Sequence, residues 1–511
     1  MSFSLARLIC RAQVGLAAPL VHVEVTLAGG LPVFHIVGLP APVVRESRER
    51  VRAALLSCGF EFPAGRIVVN LAPAEIPKDG GRFELPMAIG ILLASGQLAA
   101  QPAATACEVY GELGLDAEIR PVRGILLAAA HAGRAGHELI VPAANLEEAL
   151  VAGTPVRSAS HLREVCAHWS GGHSLPLHHG SRPSGSGPAH QPDLRDVRGQ
   201  LRAKRALLIA AAGGHNLLLI GPPGSGKTLL ARRLPALLPP LTDSEALDCA
   251  AIASVSQAGF RLERYGQRPF REPHHTASVP ALVGGGARAL PGEVTLAHHG
   301  VLFLDELPEF DRRALEALRE PLEAGVVNVS RVAAHATYPA RFQLIAAMNP
   351  CPCGHEGDEQ IPCRCTPAQV ARYRARISGP LLDRFDLHVP VDRPEPGAFS
   401  AGAVRGEDSA ALAERAACAR ARQIARQGCC NAELTDEHCE RWCAADAAGE
   451  RLLEQAAARF HLSPRARRRI VKLARTIADL ESDTGGITAA QVGEAVMLRC
   501  LDRERLISAC P

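Results

Sequence analysis

The chain has 511 residues, with 56 lysines and arginines against 53 acidic residues, and 47% of it is apolar. That length exceeds one hydrophobic core and points to about three domains of ~100–200 residues each. A formal net charge of only +3 excludes global charge as the basis of polyanion binding and leaves that task to local basic clusters.

Sixteen cysteines, mostly scattered singly and with no signal peptide ahead of them, fit a reducing cytosol better than a disulfide framework. The opening apolar stretch is interrupted by Arg11 and Gln13 and runs into an alternating strand. No apolar run reaches the ~18–20 residues that a bilayer span needs. A cytoplasmic protein with no membrane partner is expected.

Residues 21–71 carry strand-like runs (21–27, 33–37, 66–71) around a helix expected over 43–56, where Val43, Ser47, Val51 and Leu55 share one face. The segment Pro77-Lys78-Asp79-Gly80-Gly81-Arg82-Phe83-Glu84-Leu85 leads into a further helix, and 111–142 adds strand, helix and strand. These blocks resemble the Lon-protease-like domain found on several AAA+ proteins, so 1–170 is expected to be such an α/β domain. In the Lon peptidase that region supplies a nucleophilic serine and, downstream, its lysine; here Arg82 and Phe83 occupy it, and no lysine occurs between Asp79 and Pro142. Peptidase chemistry needs both an activated nucleophile and its base. The expectation is a scaffold or DNA-contacting ring, with Lys78 either on a phosphate or in a solvated turn.

Residues 171–192 are rich in Gly, Ser, His and Pro and read as a flexible linker. Their histidines (His173, His178, His179, His190) are expected to be solvated. A second unit is expected over 193–395, opening with Asp196-Val197-Arg198-Gly199-Gln200 and a helix, the place where AAA+ proteins contact adenine.

The apolar run 216–220 then meets Gly221-Pro222-Pro223-Gly224-Ser225-Gly226-Lys227-Thr228, followed by a helix expected over 229–238. Strand, glycine loop and helix in that order form a phosphate cradle. Backbone N–H groups converge on the phosphates, Lys227 reaches the β- and γ-phosphates, and Thr228 offers its hydroxyl to Mg²⁺. ATP and Mg²⁺ are the cofactors this predicts.

Arg271-Glu272-Pro273-His274-His275-Thr276 and Gly284-Gly285-Gly286 come next. An insertion there would project toward a ring's pore, with His274 and His275 either touching nucleic acid or capping a turn. Val301-Leu302-Phe303-Leu304-Asp305-Glu306 is an apolar strand ending in two acids, the Walker B pattern. Asp305 would hold Mg²⁺ and Glu306 would polarise the attacking water. A helix over 315–323 and a hairpin built from 326–332 and 340–342 are expected, with Arg331 and Arg341 as candidate phosphate contacts.

The buried strand 342–349 ends in Asn349, suited to sense the γ-phosphate or the lytic water; the alternative is an asparagine closing a turn before Pro350. Cys351-Pro352-Cys353 and Cys363-Arg364-Cys365 place four thiols in one loop, 351–365. Those four are a candidate Zn²⁺ set with His355 as a possible substitute, against unligated cysteines. Cys439 and Cys443, near Cys429 and Cys430, are expected to be buried thiols.

In Gly379-Pro380-Leu381-Leu382-Asp383-Arg384-Phe385-Asp386, Arg384 is the candidate finger for a neighbouring subunit's γ-phosphate. Arg376 is the reserve, and an ion pair with Asp383 or Asp386 the plain alternative. Residues 396–511 read as a helical lid. Ser463-Pro464-Arg465 opens one helix with a cap and a first-turn proline, which puts Arg465 where a sensor-2 arginine would meet nucleotide, followed by Arg467, Arg468 and Arg469.

The phosphate loop, residues 270–276, 300–310, 346–354 and 378–386, and Ala474-Arg475-Thr476-Ile477-Ala478-Asp479-Leu480 together resemble the ComM/YifB competence family over nearly the whole chain. That family is similar in its core to the magnesium chelatase ATPase subunit. The resemblance implies an α/β AAA+ core with a parallel sheet, self-association into a hexameric ring and DNA helicase activity driving branch migration in natural transformation. Single-stranded or branched DNA would then be the partner. Two alternatives stand beside it: a magnesium-chelatase-type motor remodelling a partner for metal insertion, and a Lon-like peptidase or regulator.

Overall fold

A computed structural model describes residues 4–99, 106–180, 192–286, 289–331, 334–393, 406–482 and 485–501. His190, half of the expected linker (181–191) and the boundary expected at 395/396 lie outside the described residues, as does the side chain of Arg331.

The amino-terminal unit is built on an eight-stranded mixed sheet. Its long antiparallel centre, Ser4–Arg11 with Leu20–Ala28 and then Arg66–Ala72, alternates buried and exposed side chains, so one face covers the core. Helix Pro42–Ser57 turns Val44, Ser47, Val51, Ala54 and Leu55 inward, one residue off the expected stripe at its first turn. Helix Glu84–Ala94 is buried almost all round. Leu177–His178 pairs with Val156–Ala159 as an edge strand, so the first part of the expected linker belongs to this sheet.

The second unit has five parallel strands in the order Phe270–Arg271, Val301–Leu304, Gln343–Met348, Leu217–Ile220, Leu387–Pro390. The last four of these strands are apolar and almost wholly buried because helices cover both faces. The helix expected over 229–238 is shorter: Lys227–Ala231 is α-helical, and Pro235 sits in a separate 3₁₀ turn, Leu234–Leu237. Similarly, the helix expected over 315–323 is two pieces, Arg312–Ala317 and Arg319–Ala324. The hairpin pairs Val326–Arg331 with Ala334–Pro339, so its second arm starts earlier than expected.

The two units meet at helix Asp243–Val255, whose start is fixed by a Thr242/Glu245 capping box. Leu126 and Val151 pack on Ala246, Ala250 and Tyr265. Ser254 donates to Glu148 at 2.5 Å, and the Gly124 N–H donates to the Ser254 carbonyl at 3.0 Å.

The carboxyl-terminal helices Ser409–Gln427, Asp436–Trp442, Ala447–Phe460, Pro464–Leu480 and Ala489–Met497 pack on the core sheet's helices through one shared apolar cluster. Ser463 caps Pro464–Leu480 with Pro464 in its first turn. Inside the lid, Asp479 receives Arg426 at 2.7 Å and Arg475 at 3.1 Å. Asp386 binds Arg469 at 2.7 Å and the Asn216 N–H at 3.1 Å, tying the lid to the sheet. No helix among the described residues is long and apolar enough to cross a membrane.

Candidate active site

In a parallel sheet the strands end together, and ligands bind beyond their carboxyl ends. Three strands deliver the expected residues there: Leu217–Ile220 runs into the glycine loop, Val301–Leu304 into Asp305 and Glu306, and Gln343–Met348 into Asn349. The Asn349 strand lies between the other two. A separation of 122 positions, between Lys227 and Asn349, is thereby reduced to a hydrogen-bond distance.

The loop closes on its own lysine. Gly226 has φ +91°, a left-handed conformation that costs a side-chain-bearing residue strain. The Lys227 ammonium donates to the Gly221 carbonyl at 2.8 Å, the Pro222 carbonyl at 2.9 Å and Asn349 Oδ1 at 3.2 Å, which uses all three of its protons. Burial pulls its pKa down to about 8 against the opposing charges of Asp305 and Glu306.

Thr228 Oγ1 donates to Asp305 Oδ2 at 2.6 Å, so the two groups expected around Mg²⁺ are already adjacent. The Glu306 N–H donates to Asp305 Oδ1 at 2.9 Å. Glu306 itself has φ +53°, and its carboxylate is more than half exposed, with His275 Nδ1 3.2 Å from its Oε2. This contact was not foreseen from the sequence, which offered pore or turn-capping roles for His275. The only hint was its place after the strand that pairs with Val301–Leu304. Gln200, with φ +56°, donates to the Ser225 carbonyl at 3.2 Å and the Asp392 carbonyl at 2.5 Å, so the 196–200 segment does border the phosphate loop. Ser225 is buried with its hydroxyl unpartnered. Pro223 and Gly224 complete the loop's turn, Gly224 with φ +78°.

Arg384 is not with these residues. It sits just before strand Leu387–Pro390, at the amino end of the sheet, where its carbonyl accepts from Asn216 Nδ2 at 3.0 Å. Its guanidinium pairs with Glu323 rather than with Asp383 or Asp386, and its Nε has no partner. Burial and the charges of Arg469, Arg465 and Arg319 lower its pKa. Arg465 therefore belongs to the same cationic cluster. Arg376 pairs with Glu309 at 2.8 Å. Arg341 uses its backbone N–H on His298 Nδ1 at 3.0 Å.

The four thiols Cys351, Cys353, Cys363 and Cys365 come together, all within 4.8 Å of one another. His355 turns instead to Asp358 at 3.0 Å. Cys439 and Cys443 are buried thiols. A second group, Asp248, His298 and His299, had no sequence signature. In the amino-terminal unit, Lys78 takes neither expected role: its side chain is buried and donates to the Pro73 carbonyl. Arg82 is buried too, spent on Gln13 at 2.9 Å and the Arg123 carbonyl.

A five-stranded parallel sheet presenting a glycine loop, Lys227, Thr228, Asp305, Glu306 and Asn349 at one edge defines an AAA+-type ATPase. Three family descriptions match successive parts of the chain: Subunit ChlI of Mg-chelatase over 23–145, Magnesium chelatase, subunit ChlI over 193–398, and Magnesium chelatase, subunit ChlI C-terminal over 406–499. The uncharacterized protein YifB of Salmonella typhimurium is 49% identical over 505 residues, 98% of each chain. The competence protein ComM of Haemophilus influenzae is 47% identical over the same length and share. The magnesium-chelatase 67 kDa subunit of Heliobacterium mobile is 29% identical over 186 residues, 31% of this chain and 28% of that one. The chain belongs to the ComM/YifB family of magnesium-chelatase-like AAA+ proteins.

Proposed function

We propose that this protein is an ATP-driven ring motor on DNA, a hexameric helicase that moves branch points during recombination of incoming DNA in natural transformation, and that it works in the cytoplasm. The observation that carries this reading is the 47% identity, end to end, with a protein named for competence. Thr228 and Asp305 would hold Mg²⁺, which would supply positive charge against the phosphates. Lys227 turns from the Gly221 and Pro222 carbonyls to the phosphates, Asn349 orients the γ-phosphate or lytic water, and Glu306 takes the water's proton. Arg384 and Arg465, toward the amino end of the sheet and away from their own phosphate loop, serve a neighbour's pocket. Each nucleotide site is then completed only by assembly.

The test is ATP hydrolysis with single-stranded, duplex and four-way-junction DNA at rising salt. Stimulation strongest on branched DNA and weakening with salt is expected, because phosphate contacts release counterions. Hydrolysis indifferent to all DNA would remove the helicase reading. The magnesium-chelatase descriptions favour a second reading, a motor that remodels a metal-inserting partner. Mg²⁺ insertion into a porphyrin without any DNA response would establish it in place of the first. A Lon-like peptidase is the poorest fit, since Arg82 and Phe83 are buried where a nucleophile would be needed.

A further inference from the structure

The loop 351–365 has neither helix nor strand, yet it starts two residues after Asn349 and is fastened against the phosphate loop. Gly354 has φ +83°, and a side chain there would place Cβ 2.6 Å from Pro223 Cδ and 3.9 Å from Asn349 Cγ. Its ion pairs, His355 to Asp358 at 3.0 Å, Arg393 to Asp358 at 3.0 Å and Arg374 to Glu356 at 2.7 Å, and its short turns, Gly354 N–H to the Cys351 carbonyl and Asp358 N–H to the His355 carbonyl, do not tie residues 351–354 to 361–365. That tie has another source.

The sulfurs supply it. Cys351 Sγ lies 3.4 Å from Cys353 Sγ and 3.6 Å from Cys363 Sγ, and Cys353 Sγ lies 3.6 Å from Cys363 Sγ. A disulfide needs ~2.05 Å, and three mutual contacts of this kind cannot be disulfides. A tetrahedral centre with Zn–S bonds of ~2.3 Å sets its sulfurs ~3.8 Å apart, close to what is seen. The Cys353 N–H donates to Cys365 Sγ and the Cys365 N–H to Cys363 Sγ, both at 3.4 Å. These N–H···S contacts orient the sulfurs, as outer-shell donors do around a bound metal. A set of four soft donors selects zinc or iron over magnesium or calcium.

We infer that Cys351, Cys353, Cys363 and Cys365 hold one structural Zn²⁺, and that this metal-bound loop braces Asn349 and Pro223 beside the phosphates. Only the second half rests on the ATPase reading. The metal supplies the staple that an irregular segment of this length lacks, and it transmits to the nucleotide site through the Gly354–Pro223 contact.

The experiment measures metal content and nucleotide affinity separately on the purified full chain. One zinc per chain is expected in the wild type and in Asp248→Ala, which disables the other candidate cluster, and none in Cys363→Ser/Cys365→Ser. Cobalt-exchanged wild type should show the thiolate charge-transfer band and intense visible bands of a tetrahedral sulfur site, a readout that does not depend on the variant's folding. ATP affinity of the metal-free variant should fall about tenfold, a usual size for coupling between two sites. Wild type with no zinc, zinc retained by the double variant, zinc lost only in Asp248→Ala, or iron in its place would overturn the assignment. Unchanged ATP affinity after metal loss would overturn the brace. Zinc bound by a protein that fails to bind ATP would leave the metal site standing while the ATPase reading falls.

Discussion

His275 Nδ1 stands 3.2 Å from Glu306 Oε2, joining the loop after strand Phe270–Arg271 to the acid expected to polarise water. Glu306 is in a left-handed backbone conformation, so its carboxylate direction depends on what holds it. His275→Ala should lower kcat by roughly ten- to a hundredfold, the order that misplacing a catalytic group costs, with KM for ATP little changed. His275→Asn should restore part of it. Steady-state kinetics of the three proteins decides the matter, and equal kcat values would show that the contact is incidental.

Lys227 has every proton committed within the chain, to Gly221, Pro222 and Asn349. Lys227→Ala should abolish hydrolysis and weaken ATP binding while the circular dichroism spectrum stays unchanged. Asn349→Ala should bind ATP nearly normally and hydrolyse it poorly. A Lys227→Ala protein with undiminished turnover would place the catalytic site elsewhere.

Arg384 lies at the opposite end of the sheet from Lys227. Arg384→Ala should bind ATP normally and lose hydrolysis by ~10³–10⁵-fold, as arginine fingers do. Mixed with Lys227→Ala, it should recover partial activity, because some interfaces then pair an intact loop with an intact arginine. If the mixture shows only the sum of the two separate activities, the site is not shared.

Asp386 is buried between Arg469, His215 and the Asn216 N–H. Burial raises its pKa, but the Arg469 charge, His215 and the backbone donor outweigh it and hold the carboxyl well below the usual carboxylate range. A depressed folded pKa gives stability that is present above the unfolded value of ~3.9 and lost as pH falls below it. Wild type should therefore weaken progressively below about pH 4. Asp386→Asn should be less stable at neutral pH by about 3–5 kcal/mol, since Arg469 is left unpaired, and should have a shallower acid limb. Urea melts across that range measure both, and parallel pH profiles would exclude this contribution.

Much of the nucleotide site was legible because its chemistry is local. The glycine loop needs Gly226 at positive φ and Lys227 beside it, and the Walker B strand needs an uninterrupted apolar run before Asp305. Each requirement is met within a few successive residues. Asn349 was legible as a strand end. The His275–Glu306 contact and the Asp248, His298 and His299 cluster were not, because neither has a fixed spacing and each joins residues from separate elements, Asp248 from helix Asp243–Val255. The helix after the phosphate loop was overextended because apolar periodicity continues through Pro235, whereas its backbone does not.

Sequence alone carried the phosphate loop, the acid pair and the four thiols, since each is written as a short pattern whose geometry the backbone enforces. Tertiary structure decided who meets whom. It set Asn349 between the phosphate loop and the acids, put Arg384 at the amino end of the sheet with Arg465 near it, and buried Lys78 against a carbonyl instead of leaving it to water. Those outcomes depend on strand order and packing, which bring distant residues together without leaving any periodic trace in the chain.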